Sequence, residues 1–113
     1  MRHTRKLLFI CSQNRMRSPT AEQMLQGVPG YAVKSAGIDP SSRTEVNKDL
    51  IAWADLVFVM ERWHRLILEE NFPKALKRKQ VICLHIPDEY RYMEPELIHK
   101  LQAALAQHIE LPK

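Results

Sequence analysis

The chain has 113 residues, 45% of them hydrophobic and 27% charged, with a formal net charge of +4. That suits one globular domain able to bury a core without a metal or disulfide, and no apolar run is long enough to span a membrane. The mild positive charge favours acidic or phosphorylated partners. Its one dense basic cluster, Lys74, Lys77, Arg78 and Lys79, has no interleaved aromatic residues, which argues against nucleic acid.

The opening MRHTRKLLFI carries basic residues before an apolar stretch, but that stretch breaks at Ser12-Gln13-Asn14-Arg15, too early for a signal peptide. With only two cysteines, the expected location is the cytoplasm, with both thiols reduced. The continuous apolar run of Arg5 to Ile10 predicts a buried strand. Ser18 is positioned to cap the next helix, with Pro19 at its first position, and that helix runs through Ala21, Met24 and Leu25 and stops at Gly27 or before Pro29. Tyr31-Ala32-Val33 gives a short second strand, and Gly37, Asp39-Pro40 and Ser41-Ser42 mark a loop.

Asn47 is placed to cap a short helix through Trp53, before a third buried strand at Leu56 to Met60. Trp63, Leu66 and Ile67 predict a helix face that Phe72-Pro73 interrupts, and Trp53 and Trp63 read as core. A fourth strand, Val81-Ile82-Cys83-Leu84, makes Cys83 a buried apolar residue. After a loop from Ile86 to Met93, Glu94-Pro95 opens a last helix whose Leu97, Leu101, Leu105 and Ile109 form a core-facing stripe. Continuous apolar strands alternating with helices predict an α/β fold of one domain over 1–113. Its four-stranded parallel sheet has helices on both faces and a phosphate-binding loop after the first strand.

Ligands of such sheets lie at the carboxyl ends of strands near a topological switch point, and Cys11 ends the first strand. The segment CSQNRMRSPTAE puts a thiol, a guanidinium and a hydroxyl where backbone N–H groups and a helix dipole favour an anion. Successive N–H groups between Ser12 and Ser18 can form an anion nest, and Arg17 offers a fork matching two phosphoryl oxygens. Ser18 can donate to the Cys11 sulfur, expected to sit as a thiolate facing the oxyanion. Asn14 tolerates the left-handed backbone of a tight loop.

These residues resemble the low-molecular-weight protein tyrosine phosphatase family, whose loop reads Cys-x-x-Asn-x-x-Arg-Ser-Pro. Cys11, Asn14, Arg17, Ser18 and Pro19 match it, and Ala21-Glu22, Ser35-Ala36-Gly37, Asp55 through Met60 and Ile86 to Tyr90 are similar to later family segments. The resemblance implies Cys11 as nucleophile, Arg17 as phosphoryl ligand, Ser18 as the group holding the thiolate and Asn14 as loop support, with Ser35 as a buttress. Ser12, Gln13, Asn14, Arg15, Met16 and Ser18 would then surround inorganic phosphate or sulfate. Departures are Gln13 in place of a usual Gly, Met16 in place of a frequent second cysteine, a shortened region from Ile38 to Asn47, and an acid loop reading Asp-Glu-Tyr rather than Asp-Pro-Tyr.

Expelling the leaving oxygen needs a proton donor opposite the nucleophile. Asp88 is the first candidate, in a Pro-bounded loop after the fourth strand; Asp39, before Pro40, is its competitor. Cys11 would attack phosphorus while Asp88 protonates the leaving oxygen, and Asp88 would then activate water to release phosphate, without a metal or other cofactor. Tyr90 and Tyr92 either flank the substrate ring or pack against the last helix. Arg15 either lines the cleft, favouring acidic peptides over cationic phosphoarginine, or faces solvent.

His3, His64, His85, His99 and His108 lack metal-ligand spacing and read as surface or helix-face residues. The expected substrate is a phosphotyrosine-containing protein or a small phosphate monoester. The alternatives are a non-catalytic phosphate or phosphopeptide-binding module and an arsenate reductase, for which Cys83 is a poor relay cysteine.

Overall fold

The computed structural model describes residues 4–112. In chain order it comprises β1 (Arg5–Cys11), α1 (Arg17–Leu25), β2 (Tyr31–Gly37), α2 (Lys48–Trp53), β3 (Leu56–Val59), α3 (Arg62–Asn71), α4 (Pro73–Leu76), β4 (Gln80–Cys83) and α5 (Pro95–Leu105). The strands form one sheet in the order β2-β1-β3-β4, and every pairing is parallel. No helix among the described residues is long and apolar enough to cross a membrane.

The unbroken run Leu7-Leu8-Phe9-Ile10 is fully buried because side chains on β1 alternate between two cores. Leu7, Phe9 and Cys11 face one cluster with Leu25, Phe58, Leu97, Leu101 and Leu105, whereas Leu8 and Ile10 face another with Ile51, Val57, Val59 and Leu68. Phe9 and Phe58, paired in register, stack at 5.3 Å between ring centroids. The expected stripe of the last helix is buried as read, including Ile109 just beyond α5. Asn47 also caps α2 as expected, its Oδ1 accepting from the Leu50 N–H at 2.9 Å.

Several local readings need correction. Met16, not Ser18, is the N-cap of α1, so Pro19 is its third residue rather than its first, and Ser18 lies inside the first turn because its hydroxyl is used beneath the loop instead. On α3 the buried residues are His64 and Leu68, one turn apart, while Trp63 (45%) and Leu66 (61%) are exposed. Trp63 is therefore not core; its ring lies 4.2 Å from that of His64, and its indole donates to Glu61 Oε2 at 3.2 Å. Trp53 is half-buried against the second core, beneath the Lys34 ammonium at 4.6 Å. Cys83 is only half-buried, because β4 ends the sheet and leaves one edge uncovered.

The strand order places a switch point between β1 and β3, where the chain leaves β1 toward one edge and later returns on the other side. The segment after β2 closes that end of the sheet. Its Ile38 and Asp39 N–H groups donate to the carbonyls of Cys11 (3.0 Å) and Ser12 (2.9 Å), and Arg43 N–H donates to Gln13 (3.2 Å). Gly37 permits this crossing: a Cβ there would collide with Ser42 Oγ and lie 2.9 Å from the Asn14 nitrogen. Gly37→Ala is expected to cost about 1–3 kcal/mol by overpacking, seen as a lower thermal midpoint by circular dichroism. An unchanged midpoint would mean that the segment is free to move away from the loop.

Candidate active site

The loop from Cys11 to Arg17 turns back on itself through Asn14, whose φ of 55° is left-handed, as the sequence led us to expect. Gln13 has no positive φ, so its backbone carries a side chain without strain. With the carbonyls of Cys11, Ser12 and Gln13 bonded outward, none of the N–H groups of residues 13–16 donates to an acceptor within the described residues. These free donors, ahead of the α1 N-terminus, form the concave anion nest.

Beneath the loop a chain of buried hydrogen bonds fixes its shape. Asn14 Nδ2 donates to Ser18 Oγ at 2.9 Å and Ser35 Oγ at 2.8 Å, and Ser35 in turn donates to Glu22 Oε1. Ser18 Oγ lies 3.0 Å from Cys11 Sγ and 3.3 Å from the Ala36 carbonyl. Its single proton can serve either acceptor, and an ionised sulfur at the shorter distance draws it. Asn14 Oδ1 is buried without a partner, a consequence of both amide hydrogens being committed to hydroxyls.

Arg17 is the largest fully buried side chain among the described residues. Its Nη1 donates to Glu61 Oε2 at 2.8 Å and to the Ile86 carbonyl at 2.7 Å, and its Nη2 donates to Ser12 Oγ at 3.0 Å. Of five N–H donors, that leaves the Nε–H and one Nη2–H for an oxyanion. Asp88 Oδ1 lies 3.8 Å from Nε, beyond a direct hydrogen bond, and its side chain is exposed. A cavity of about 260 Å³ is lined by Cys11, Ser12, Gln13, Arg15, Met16, Arg17 and Asp88. Nucleophile, guanidinium and acid candidates thus face one space.

Asp39 does not line that space. Its Oδ1 accepts from the Ser41 N–H at 2.8 Å in an exposed turn, and these bonds to Ser41 lower its pKa, making it a poorer proton donor. Arg15 lies on the rim, where its Nη2 donates to the Ser41 carbonyl at 3.2 Å. Tyr90 is 8% exposed within the first core, so of the two tyrosines it takes the packing alternative, while Tyr92 is exposed. The expected position of Tyr90 beside the substrate is therefore replaced by a core position, because the loop turns its ring into the cluster that includes Leu97 and Leu101.

Glu61 and His64 were not read from the sequence as site residues, and His64 is buried rather than on the surface. Both belong to a reciprocal cap at the start of α3, in which Glu61 N–H donates to His64 Nδ1 at 3.0 Å. Burial first, then the Arg17 charge, lower the imidazole to about 4, against a smaller opposing effect of Glu61. Partial burial pushes Glu61 up, but hydrogen bonding and charge from Arg17, with Trp63 and His64, leave it lowered overall. The available signal was topological: the loop after β3 meets the loop after β1 at the switch point.

Fold and loop together define an α/β protein built around a Cys-x5-Arg oxyanion nest. No protein-family model matches the chain. A curated protein-arginine-phosphatase of Geobacillus stearothermophilus is 30% identical over 94 residues, covering 62% of this chain and 64% of that protein. The chain thus spans less than two thirds of the curated relative it matches. Among solved structures, Vibrio vulnificus Wzb in complex with benzylphosphonate is similar with a TM-score of 0.69 and 26% identity, covering 92% of this chain and 97% of that one. The YwlE arginine phosphatase from Geobacillus stearothermophilus gives 0.66 at 24% identity, covering 96% and 99%. The tyrosine phosphatase Wzb from Escherichia coli K30, in complex with sulphate, gives 0.72 at 24%, covering 90% and 94%. In fold the chain is similar to these phosphatases, and its first loop carries the Cys-x5-Arg pattern.

Proposed function

We propose that the chain is a single-domain, cysteine-dependent phosphatase that hydrolyses phosphate monoesters, with phosphotyrosine in proteins as its substrate class. The observation that carries this reading is that Cys11, Arg17 and Asp88 line one cavity above an open nest of amides. Cys11 Sγ attacks phosphorus, the bond to the leaving oxygen breaks, and Asp88 gives that oxygen its proton. Asp88, now a carboxylate, takes a proton from water as the water attacks phosphorus, and the S–P bond breaks to release phosphate and thiolate. The loop amides and the free donors of Arg17 receive the charge on the equatorial oxygens.

Arg15 on the rim puts a cation beside the entering residue, which favours phosphotyrosine in acidic surroundings over phosphoarginine. Two free cysteines suit a reducing compartment, the cytoplasm. Hydrolysis of p-nitrophenyl phosphate near pH 6, followed by phosphotyrosine, phosphoserine and phosphoarginine peptides, tests both the activity and its class. Preference for phosphoarginine would overturn the substrate assignment, and absence of turnover by the reduced protein would overturn the activity.

Asp88→Asn is expected to lower kcat by about 10²–10⁴-fold on substrates with basic leaving groups, and much less on p-nitrophenyl phosphate, whose phenolate leaves without full protonation. Asp39→Asn should stay close to wild type. Equal losses on both leaving groups would remove Asp88 from the acid role.

A further inference from the structure

We infer that the Ser12 hydroxyl is a hydrogen-bond donor to the phosphoryl group held in the loop, and that buried His64 is the positioning residue that aims it. The inference rests on the phosphatase reading for its ligand, an oxyanion in the nest. It goes beyond the loop amides and Arg17, because it assigns a side-chain donor and its orienting partner from another element.

The hydrogen-bond inventory around Ser12 leads to this assignment. Neutral imidazole has one N–H and one acceptor nitrogen. His64 Nδ1 accepts from the Glu61 N–H at 3.0 Å, so the ring proton resides on Nε2. Nε2 lies 3.1 Å from Ser12 Oγ and must donate to it. Arg17 Nη2 has only donors and approaches the same oxygen at 3.0 Å. Ser12 Oγ therefore accepts twice, which fills its lone pairs and leaves its own proton uncommitted. No acceptor within the described residues takes that proton, and Ser12 lines the cavity that holds Cys11 and Arg17.

The tautomer is held in place by its surroundings. His64 is fully buried, with Trp63 across its ring, and the charged groups near it are Arg17 and Glu61. A second ring proton would sit on Nδ1, against the Glu61 N–H. The imidazole therefore stays neutral over the range in which the loop binds oxyanions, and the hydroxyl stays directed at the cavity.

The test compares Ser12→Ala, Ser12→Thr, His64→Leu and His64→Gln in kcat/KM for p-nitrophenyl phosphate and in the affinity for inorganic phosphate, measured by calorimetry. A hydrogen bond to a charged group corresponds to about 10- to 100-fold. Ser12→Ala should lose that much in kcat/KM and weaken phosphate binding, whereas Ser12→Thr should retain most of both. His64→Leu should match Ser12→Ala, and the double variant should lose no more than either, because the two act as one unit. His64→Gln, whose amide can accept from Glu61 and donate to Ser12, should recover most of the loss.

Ser12→Ala within twofold of wild type in both measurements would overturn the proposal. So would a His64→Leu loss that adds fully to that of Ser12→Ala, since His64 would then act only on folding. Should His64→Leu not fold, the two Ser12 variants decide alone. A wild type that binds phosphate without turnover would sink the phosphatase reading but leave the affinity comparison to decide the role of Ser12. A wild type that neither binds nor turns over would overturn both.

Discussion

Replacing Cys11 by serine is expected to reduce phosphate ester hydrolysis by about 10⁴-fold or more, a loss of the order seen when a nucleophile is removed from an enzyme whose other groups remain. The sulfur is 3% exposed, ends β1 and points into the cavity that Asp88 also lines. A hydroxyl in its place is isosteric but a far weaker nucleophile, and no base lies within the hydrogen bonds described for it: its neighbour is Ser18 Oγ. The variant should fold normally, since Asn14 and Ser35 hold the loop independently of the sulfur. It should also still bind inorganic phosphate, because the open loop amides and the Arg17 guanidinium stay in place. Rapid-quench trapping of a transient phosphocysteine, present in wild type and absent in the variant, checks the covalent route. A variant with turnover near that of wild type would remove Cys11 from the chemistry and move the weight to a binding module.

Much of this site was legible because it is local. Cys11, Asn14, Arg17 and Ser18 lie within one strand-to-helix junction, so their spacing alone fixes which groups can meet around an anion. The sheet was legible for a similar reason: apolar runs such as Leu7 to Ile10 and Leu56 to Val59 are buried on both faces and leave no alternation to misread. Glu61 and His64 were not legible, since they reach Arg17 and Ser12 across 44 and 52 residues, and only strand order brings their loop to the switch point. On α3 the large apolar residues Trp63 and Leu66 indicated one face, but the helix turns His64 and Leu68 inward. The polar cap with Glu61 and the hydrogen bond to Ser12 compensate the imidazole's burial, and hydropathy carries no record of either. Tyr90 failed in the opposite sense: an aromatic residue two positions from Asp88 reads as part of the cleft, yet the first core takes its ring.

Arg17→Lys is the change for which the structure expects the largest combined loss of activity and stability. Arginine here is held from three sides, by Glu61, the Ile86 carbonyl and Ser12, with two N–H donors still free. An ammonium has three donors and no fork, so it cannot satisfy the three protein acceptors and also present two hydrogens to phosphate. Losing one preorganised oxyanion donor costs about 10²–10³-fold, so losing both should lower kcat/KM by at least about 10³-fold. Stability should fall by about 1–3 kcal/mol as the Ile86 carbonyl and the Ser12 hydroxyl lose partners. That is less than for a wholly buried ion pair, because Glu61 is 31% exposed and can rehydrate. Glu61→Gln separates the two effects: its amide oxygen still accepts from Nη1, so the guanidinium stays oriented, and only a small loss in kcat/KM is expected. If Arg17→Lys kept kcat/KM within tenfold of wild type, the loop amides alone would be carrying the oxyanion, and the buried guanidinium would be a structural tie between the loops after β1 and β3.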